Sequence, residues 1–276
     1  MTNVVAPDVR AALRGLERRI RGYGERVVVA FSGGVDSSVV LAVAARTLSP
    51  PAVTAVTALS PSLPAGELDA AAEVAADLEV EHRTVTTREL EREAYARNDE
   101  MRCFHCKAEL YTTLREIVAT ADRATTVLAG ANADDLSDFR PGLWAGARAG
   151  IRNPLLEEGV GKGGVRAVAR ALGLRVADKP ALACLSSRIE LGLRITPELL
   201  GRIDAAERTV RALGFGVVRV RHRGDLATIE VPAEEVPRLA SHPHLVRATG
   251  EIRDLGWAEV TVDPRGYRQG SVGPLS

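Results

Sequence analysis

Arg26-Val-Val-Val-Ala-Phe-Ser-Gly-Gly-Val-Asp-Ser-Ser38 decides the fold. Its first half, Arg26 to Phe31, is a short apolar run rich in β-branched residues. It is bounded by Gly24 and by Ser-Gly-Gly, and reads as a buried strand. Its second half turns. Gly33 and Gly34 lack Cβ atoms, so the backbone can turn tightly and approach an anion. The N–H groups of such a loop and of the helix behind it, together with the helix dipole, form an anion cradle. Ser32, Ser37 and Ser38 can add hydroxyl donors. Asp36 is out of place beside an anion unless a cation lies between them, so a Mg²⁺ ion bridging phosphates is its natural role. A serine-capped Gly-Gly turn is the bland alternative. Ser-Gly-Gly-x-Asp-Ser-Ser directly behind a buried strand is far more specific than that. No lysine follows the glycines, so the loop is not of the Gly-x-x-x-x-Gly-Lys-Ser/Thr type.

Working outward, residues 8–22 place Val9, Leu13, Leu16 and Ile20 at helical spacing. A helix is expected over Val39 to Leu48, a strand over Ala52 to Leu59, a helix over Glu67 to Leu78 and a strand over Glu81 to Val85. Residues 88–118 read as largely helical, interrupted around Asn98 to Cys106. Thr126 to Ala129 is a fourth strand, and Val165 to Leu172 a helix closed by Gly173. Alternating strands and helices imply an α/β fold, a doubly wound parallel sheet covered on both faces. The pattern changes near residue 190. Pro197 to Leu213 is a helix with Thr196 as N-cap and Gly214 as stop. Phe215 to Arg221 and Leu226 to Val231 alternate like half-buried strands around a His222 to Asp225 turn, and a helix and the strand Ala258 to Val262 follow. The expected organisation is a domain over 1–190 and a small C-terminal α+β domain over 191–276 for substrate binding or oligomerisation. Pro264 to Ser276 is expected to be a loose tail.

The chain has 276 residues, 46% hydrophobic and 26% charged, with Lys+Arg and Asp+Glu both at 36. That is an ordinary globular composition. Zero net charge gives no reason to expect nucleic acid as a partner. The N-terminus lacks the apolar core of a signal peptide, and Val27 to Phe31 is too short to span a bilayer, so a cytoplasmic protein without membrane contact is expected. A homo-oligomer is expected as well. The three cysteines, an odd number, argue against a disulfide framework.

Three further groups carry chemistry. Gly130-Ala-Asn-Ala-Asp-Asp135 follows the fourth strand and should face the same crevice as the glycine loop, because ligands of open parallel sheets sit at strand carboxyl ends. Asp134 and Asp135 are there either for a metal or substrate group or for capping a helix. Cys103-Phe-His-Cys106 and Cys184 could hold three irons of a 4Fe–4S cluster. They could bind zinc with His105, or form a redox pair with Cys184 as a lone nucleophile. For Cys184 alone, a buried structural role stays open. Arg188 beside Cys184 would lower a thiol pKa or bind phosphate. Arg219 and Arg221 share a strand face, suited to a phosphate or carboxylate, although a solvated charged face is the commoner fate.

The glycine loop matches the PP-loop of ATP pyrophosphatases, a superfamily with an adenine nucleotide alpha hydrolase-like fold that splits ATP between its α and β phosphates. The whole chain resembles the LarE family of ATP-dependent sulfur transferases, through Ala30 to Ser38, Ser60 to Pro64, Arg102 to Lys107, Asn132 to Asp135, Arg140 to Gly142, Asp178 to Pro180, Cys184 to Arg188, Arg219 to His222 and Gly266 to Arg268. The resemblance implies that ATP, bound at Ala30, Phe31, Ser32, Gly33, Gly34, Asp36, Ser37, Ser38, Gly130 and Asp135, adenylates a carboxylate of a small-molecule pyridinium dicarboxylate mononucleotide. Sulfur then displaces AMP, on the way to the nickel-pincer cofactor of lactate racemase. It implies Ser187, Arg188, Glu207, Arg219 and Arg221 at the substrate or phosphate site, and Cys184, Asp36 and Arg188 in catalysis. Family members with one cysteine give up its sulfur. The three-cysteine members hold a 4Fe–4S cluster, here through Cys103, Cys106 and Cys184. A PP-loop amide synthase, a tRNA thiolase and a nucleotide-binding regulatory module are competing readings. The cysteines count against the first, zero net charge against the second, and the intact loop against the third.

Overall fold

The computed structural model describes residues 8–120, 124–136, 139–180 and 183–268. In chain order the helices and strands are α1 (Val9–Gly22), β1 (Val27–Ala30), α2 (Val35–Leu48), β2 (Val53–Leu59), α3 (Glu67–Asp77), β3 (Glu81–Thr86), α4 (Glu93–Ala96), α5 (Arg102–Ala119), β4 (Thr126–Leu128), α6 (Pro141–Arg148), α7 (Pro154–Glu157), α8 (Lys162–Ala171), α9 (Pro197–Arg211), β5 (Arg219–Arg223), β6 (Leu226–Glu230), α10 (Val236–Ala240), α11 (Leu245–Asp254) and β7 (Glu259–Val262). The chain divides into two compact units. One comprises Met1–Ser60, Gly66–Arg88 and Cys103–Leu182; the other comprises Pro61–Ala65, Glu89–Arg102 and Ala183–Ser276.

In the first unit, four parallel strands lie in the order β3-β2-β1-β4. Val27 pairs with Val53 on one side and with Thr126 on the other. Strand order therefore reverses between β1 and β4, and their carboxyl ends open a crevice suited to a ligand. Alternate β1 residues serve opposite cores. Val27 and Val29 pack with Leu16 and Ile20 of α1, with most of α2, and with Val165 and Val168 of α8. Val28 packs with Leu110, Tyr111 and Leu114 of α5 and with Ala145 of α6. Burial on both faces explains an unbroken valine run; each such valine contributes about 1.5–3 kcal/mol. The sheet is thus α/β and doubly wound, as read from the sequence.

Several boundaries differ from expectation: α8 begins at Lys162 rather than Val165, and β5 at Arg219 rather than Phe215. Helix α2 begins at Val35, not near Val39, because Gly34 takes the extended N-cap conformation and the motif residues Asp36, Ser37 and Ser38 already form the first turn. Helix α5 begins at Arg102, so the Cys-x-x-Cys lies inside it and the interruption falls just before, at Asn98, whose φ is 59°. Helices α6 and α7 each open on a proline at the first position, where no N–H is needed.

In the second unit, β5 and β6 are antiparallel and β7 runs parallel to β6. The hairpin is tighter than expected: Arg223 pairs with Leu226, and Gly224, at φ 66°, supplies the positive dihedral of a two-residue turn. Thr196 caps α9 by accepting the Leu199 N–H at 3.2 Å, and Gly214 terminates it at φ 89°. The start of the expected loose tail is instead pinned, since the Tyr267 N–H donates to the Val231 carbonyl at 2.7 Å. The rest of that tail, and Ala181 and Leu182 before Cys184, lie outside the described residues. Among the described residues, no helix is long and apolar enough to cross a membrane.

Candidate active site

The glycine loop leaves β1 at Ala30, and the Phe31 N–H continues the ladder to the Val56 carbonyl at 2.8 Å. Gly33 sits at φ 67°, and a Cβ there would lie 3.0 Å from the Ala71 Cβ of α3. Ser37 Oγ donates to the Gly34 carbonyl at 3.1 Å, lies 3.2 Å from Ser32 Oγ, and accepts the Ser32 N–H at 3.3 Å. Two of the serines therefore shape the loop. Ser38 is fully buried, and its Oγ has no hydrogen bond among the described residues.

The loop after β4 closes on the first turn of α2. A Cβ on Gly130 would lie 2.8 Å from the Ser37 backbone nitrogen, so only glycine lets the two segments meet. Asn132 bridges them: its Nδ2 donates to Asp36 Oδ1 at 2.9 Å, and its own N–H donates to Asp135 Oδ2 at 3.1 Å. Burial, with the nearby Asp135 charge adding to it, pushes the Asp36 carboxyl above its usual range, against the Asn132 hydrogen bond. Two crowded carboxylates at the mouth of an anion loop fit a divalent cation, and Asp36 and Asp135 are the residues that would hold Mg²⁺. Asp135 also pairs with Arg140 at 3.1 Å. Asp134 takes the capping role, accepting the Lys162 N–H at the start of α8 at 2.7 Å. Sequence reasoning assigned no role to Asn132, and it assigned none to Lys179, whose Nζ donates to the Gly33 carbonyl at 3.3 Å. The Asn-x-Asp-Asp spacing was a signal for the first. For the second, only the Asp178 to Pro180 segment was a signal, and its partner lies 146 residues away in sequence.

Cys103 is exposed and Cys106 half-buried in the first turn of α5, one helical turn apart and so on one face. Helix α6 packs on this turn: a Cβ on Gly142 would lie 3.6 Å from the Cys103 carbonyl and 3.1 Å from Lys107 Cγ.

The second unit holds Cys184, exposed, ahead of a short helical turn over Leu185–Arg188. Arg188 is fully buried. Its Nε donates to Glu207 Oε1 at 2.8 Å, and its Nη1 donates to the Ala183 and Cys184 carbonyls at 2.6 and 2.9 Å and to Ser187 Oγ at 3.1 Å. Glu207 also takes Arg211 at 2.6 Å. Arg221 pairs with Glu230 at 2.9 Å and donates to the Ser187 carbonyl at 2.8 Å. Arg219 lies over the Tyr267 ring at 5.3 Å. Burial, then the neighbouring Arg188, pulls its guanidinium below the ordinary value. Arg219 and Arg221 are thus 2% and 4% exposed, which corrects the reading of a solvated face. Arg188, Arg211 and Arg221 are thus held by two buried carboxylates, Glu207 and Glu230. Asn98 braces the next segment, its Nδ2 donating to the Glu190 and Leu193 carbonyls at 2.8 and 2.9 Å. The expected site residues thus fall into two sets, 30–38 with 130 and 135 in one unit, and 184, 187, 188, 207, 219 and 221 in the other. Asp36 belongs to the first unit, and Cys184 and Arg188 to the second.

The asparagine synthase family model matches residues 15–138. An uncharacterised protein of a Synechocystis species is 41% identical over 92% of this chain and 94% of its own length. The pyridinium-3,5-bisthiocarboxylic acid mononucleotide synthase of Lactiplantibacillus plantarum is 36% identical over 89% of this chain and 88% of its own length. The chain belongs to the LarE family. An uncharacterised protein of Methanocaldococcus jannaschii is 24% identical over 88% of this chain and 91% of its own. Membership of the LarE family, within the PP-loop superfamily, makes this an ATP-using enzyme.

Proposed function

We propose that the chain is an ATP-dependent sulfur transferase that converts a carboxylate of a pyridinium dicarboxylate mononucleotide to a thiocarboxylate, in the making of a nickel-pincer cofactor for a lactate racemase. The observation that carries the reading is the meeting of Asp36, Asn132 and Asp135 at the phosphate loop. It is supported by the 36% identity to a synthase of the corresponding bisthiocarboxylic acid. The N–H groups of the loop would cradle the phosphates, and Mg²⁺ on Asp36 would offset their charge. A substrate carboxylate oxygen then bonds to the α-phosphorus. The bond from that phosphorus to the oxygen bridging to the β-phosphorus breaks, and pyrophosphate departs with the electron pair. Sulfur next attacks the acyl carbon, and AMP leaves with its oxygen. In the second unit, Ser187, Arg188, Glu207, Arg219 and Arg221 would line the site for the substrate's phosphate. We assign residues 191–276 to substrate binding or oligomerisation, in a cytoplasmic homo-oligomer.

For the sulfur source we favour a cluster. Thiolates are the ligands of iron–sulfur groups, none of the three cysteines is tied up in a disulfide, and Cys103 and Cys106 share a helix face. Cys103, Cys106 and Cys184 would hold a 4Fe–4S group, which when bound supplies sulfide at its open iron. A second reading, in which Cys184 gives up its own sulfur, is favoured by the exposure of Cys184 and by Arg188 holding its backbone carbonyl. Anaerobic purification with iron and sulfide assays decides between them. The cluster reading expects about four irons and four sulfides per chain. A chain without iron after reconstitution, whose Cys184 loses one H₂S on turnover, would establish the second reading instead.

A further inference from the structure

The glycine loop lacks the lysine that, in Gly-x-x-x-x-Gly-Lys-Ser/Thr loops, reaches the outer phosphates. The fold brings one to it from the far end of the first unit. Lys179 Nζ donates to the Gly33 carbonyl at 3.3 Å and to Glu67 Oε2, at the start of α3, at 2.8 Å. Its side chain is only 18% exposed. The backbone that carries it is held in place. Arg166 of α8 donates to the Ala177 carbonyl at 2.7 Å and to the Lys179 carbonyl at 3.0 Å, and the Lys179 N–H donates to Val176 at 3.0 Å. Gly33 is itself pressed against α3 at Ala71. Lysine, loop and the first turns of α3 therefore form one edge of the phosphate cradle.

We propose that Lys179 binds the β- and γ-phosphates of ATP at this loop and stays with pyrophosphate as it leaves. An ammonium has three donors, and the two contacts above leave one for an incoming anion. Glu67 balances the charge while no nucleotide is present. A triphosphate carries more negative charge than one carboxylate, so it competes for the same ammonium. Lys179 acts there as a fixed positive charge: no proton moves, and the electron pair of the broken bond goes to pyrophosphate. A lysine that served only to staple residues 176–180 to α3 would not alter which nucleotide binds.

The inference rests on residues 32–38 being the ATP phosphate loop, and the test separates the two claims. Equilibrium binding of ATP and of AMP, each with Mg²⁺, is measured on the full chain and on its Lys179→Ala, Lys179→Arg and Glu67→Gln variants. Lys179→Ala should weaken ATP roughly ten- to a hundredfold, the loss of one hydrogen bond to a charged group, and leave AMP unchanged. Inorganic pyrophosphate should compete less well for that variant, and Lys179→Arg should recover much of the ATP affinity. Glu67→Gln, which removes the staple and keeps the ammonium, should bind ATP at least as tightly as the unaltered chain. Equal ATP affinity in Lys179→Ala, an equal loss for ATP and AMP, or an equal loss in Glu67→Gln would overturn the proposal. Absence of ATP binding by the unaltered chain would remove the loop assignment itself.

Discussion

Asp36 is the residue on which the proposed phosphate site turns, and Asn132 is what holds it. The carboxylate is partly desolvated and close to Asp135, so its ionised form is costly until a cation arrives. Asn132 supports that form with a 2.9 Å hydrogen bond and takes up the loop after β4 at the same time. Groups that orient a metal-holding carboxylate typically matter ten- to a hundredfold. Asn132→Ala should therefore raise the Mg²⁺ concentration needed for half-maximal ATP cleavage by about that factor, with little change at saturating Mg²⁺; a Mg²⁺ titration of AMP release checks it. Asp36 was legible in the sequence because an acid inside an anion loop demands an explanation. Asn132 was visible only as part of a motif, since its partner is 96 residues away and nothing local names it. Arg188 was singled out beside Cys184 and Glu207 through the family resemblance, but their geometry was not legible. A buried bidentate pair that also braces the Cys184 carbonyl depends on α9 packing, which side-chain spacing does not encode.

At the level of elements, periodicity found the long pieces. Helix α1 follows its Val9, Leu13, Leu16, Ile20 stripe, and β1 its valine run. Short pieces that open on proline, such as α6 and α7, carry too few turns for a period to show. Yet α7 anchors α1. Glu157 accepts from Tyr23 at 2.8 Å, from Arg19 at 3.2 Å and from Arg152 at 2.7 Å. Burial alone would raise its carboxyl, but hydrogen bonds from Arg152, Tyr23 and the Asn153 N–H hold it down to about 2. A depressed carboxylate contributes stability above its ordinary value of 4.5, and that stability is lost as pH falls toward about 2. Glu157→Gln should therefore lower the melting temperature at pH 7, and the difference from the unaltered chain should vanish near pH 2. Its partners Arg19 and Arg152 are 33% and 47% exposed and screened by solvent, so the effect is a fraction of a kcal/mol to about 1 kcal/mol. Thermal melts across that pH range, read by circular dichroism, check it.

For the whole molecule, the α/β class and the crevice between β1 and β4 followed from the order of strands and helices, because a parallel sheet leaves few topologies open. The composition of the second unit was harder to read. It draws Glu89–Arg102 from the middle of the chain, so that Tyr95 meets Ser186 at 2.6 Å across 91 residues of sequence. Such long-range partners are fixed by packing and leave no local pattern. The chemistry proposed for the molecule joins its two sets of residues in one reaction, ATP cleavage at 32–38 followed by sulfur attack. That coupling is tested most directly by supplying the anaerobically prepared chain with ATP, Mg²⁺ and the pyridinium dicarboxylate mononucleotide, and analysing nucleotide and substrate together by mass spectrometry. The expected result is one AMP and one pyrophosphate for each carboxylate oxygen replaced by sulfur. Release of ADP and phosphate, or AMP formed with no sulfur entering the substrate, would contradict the account.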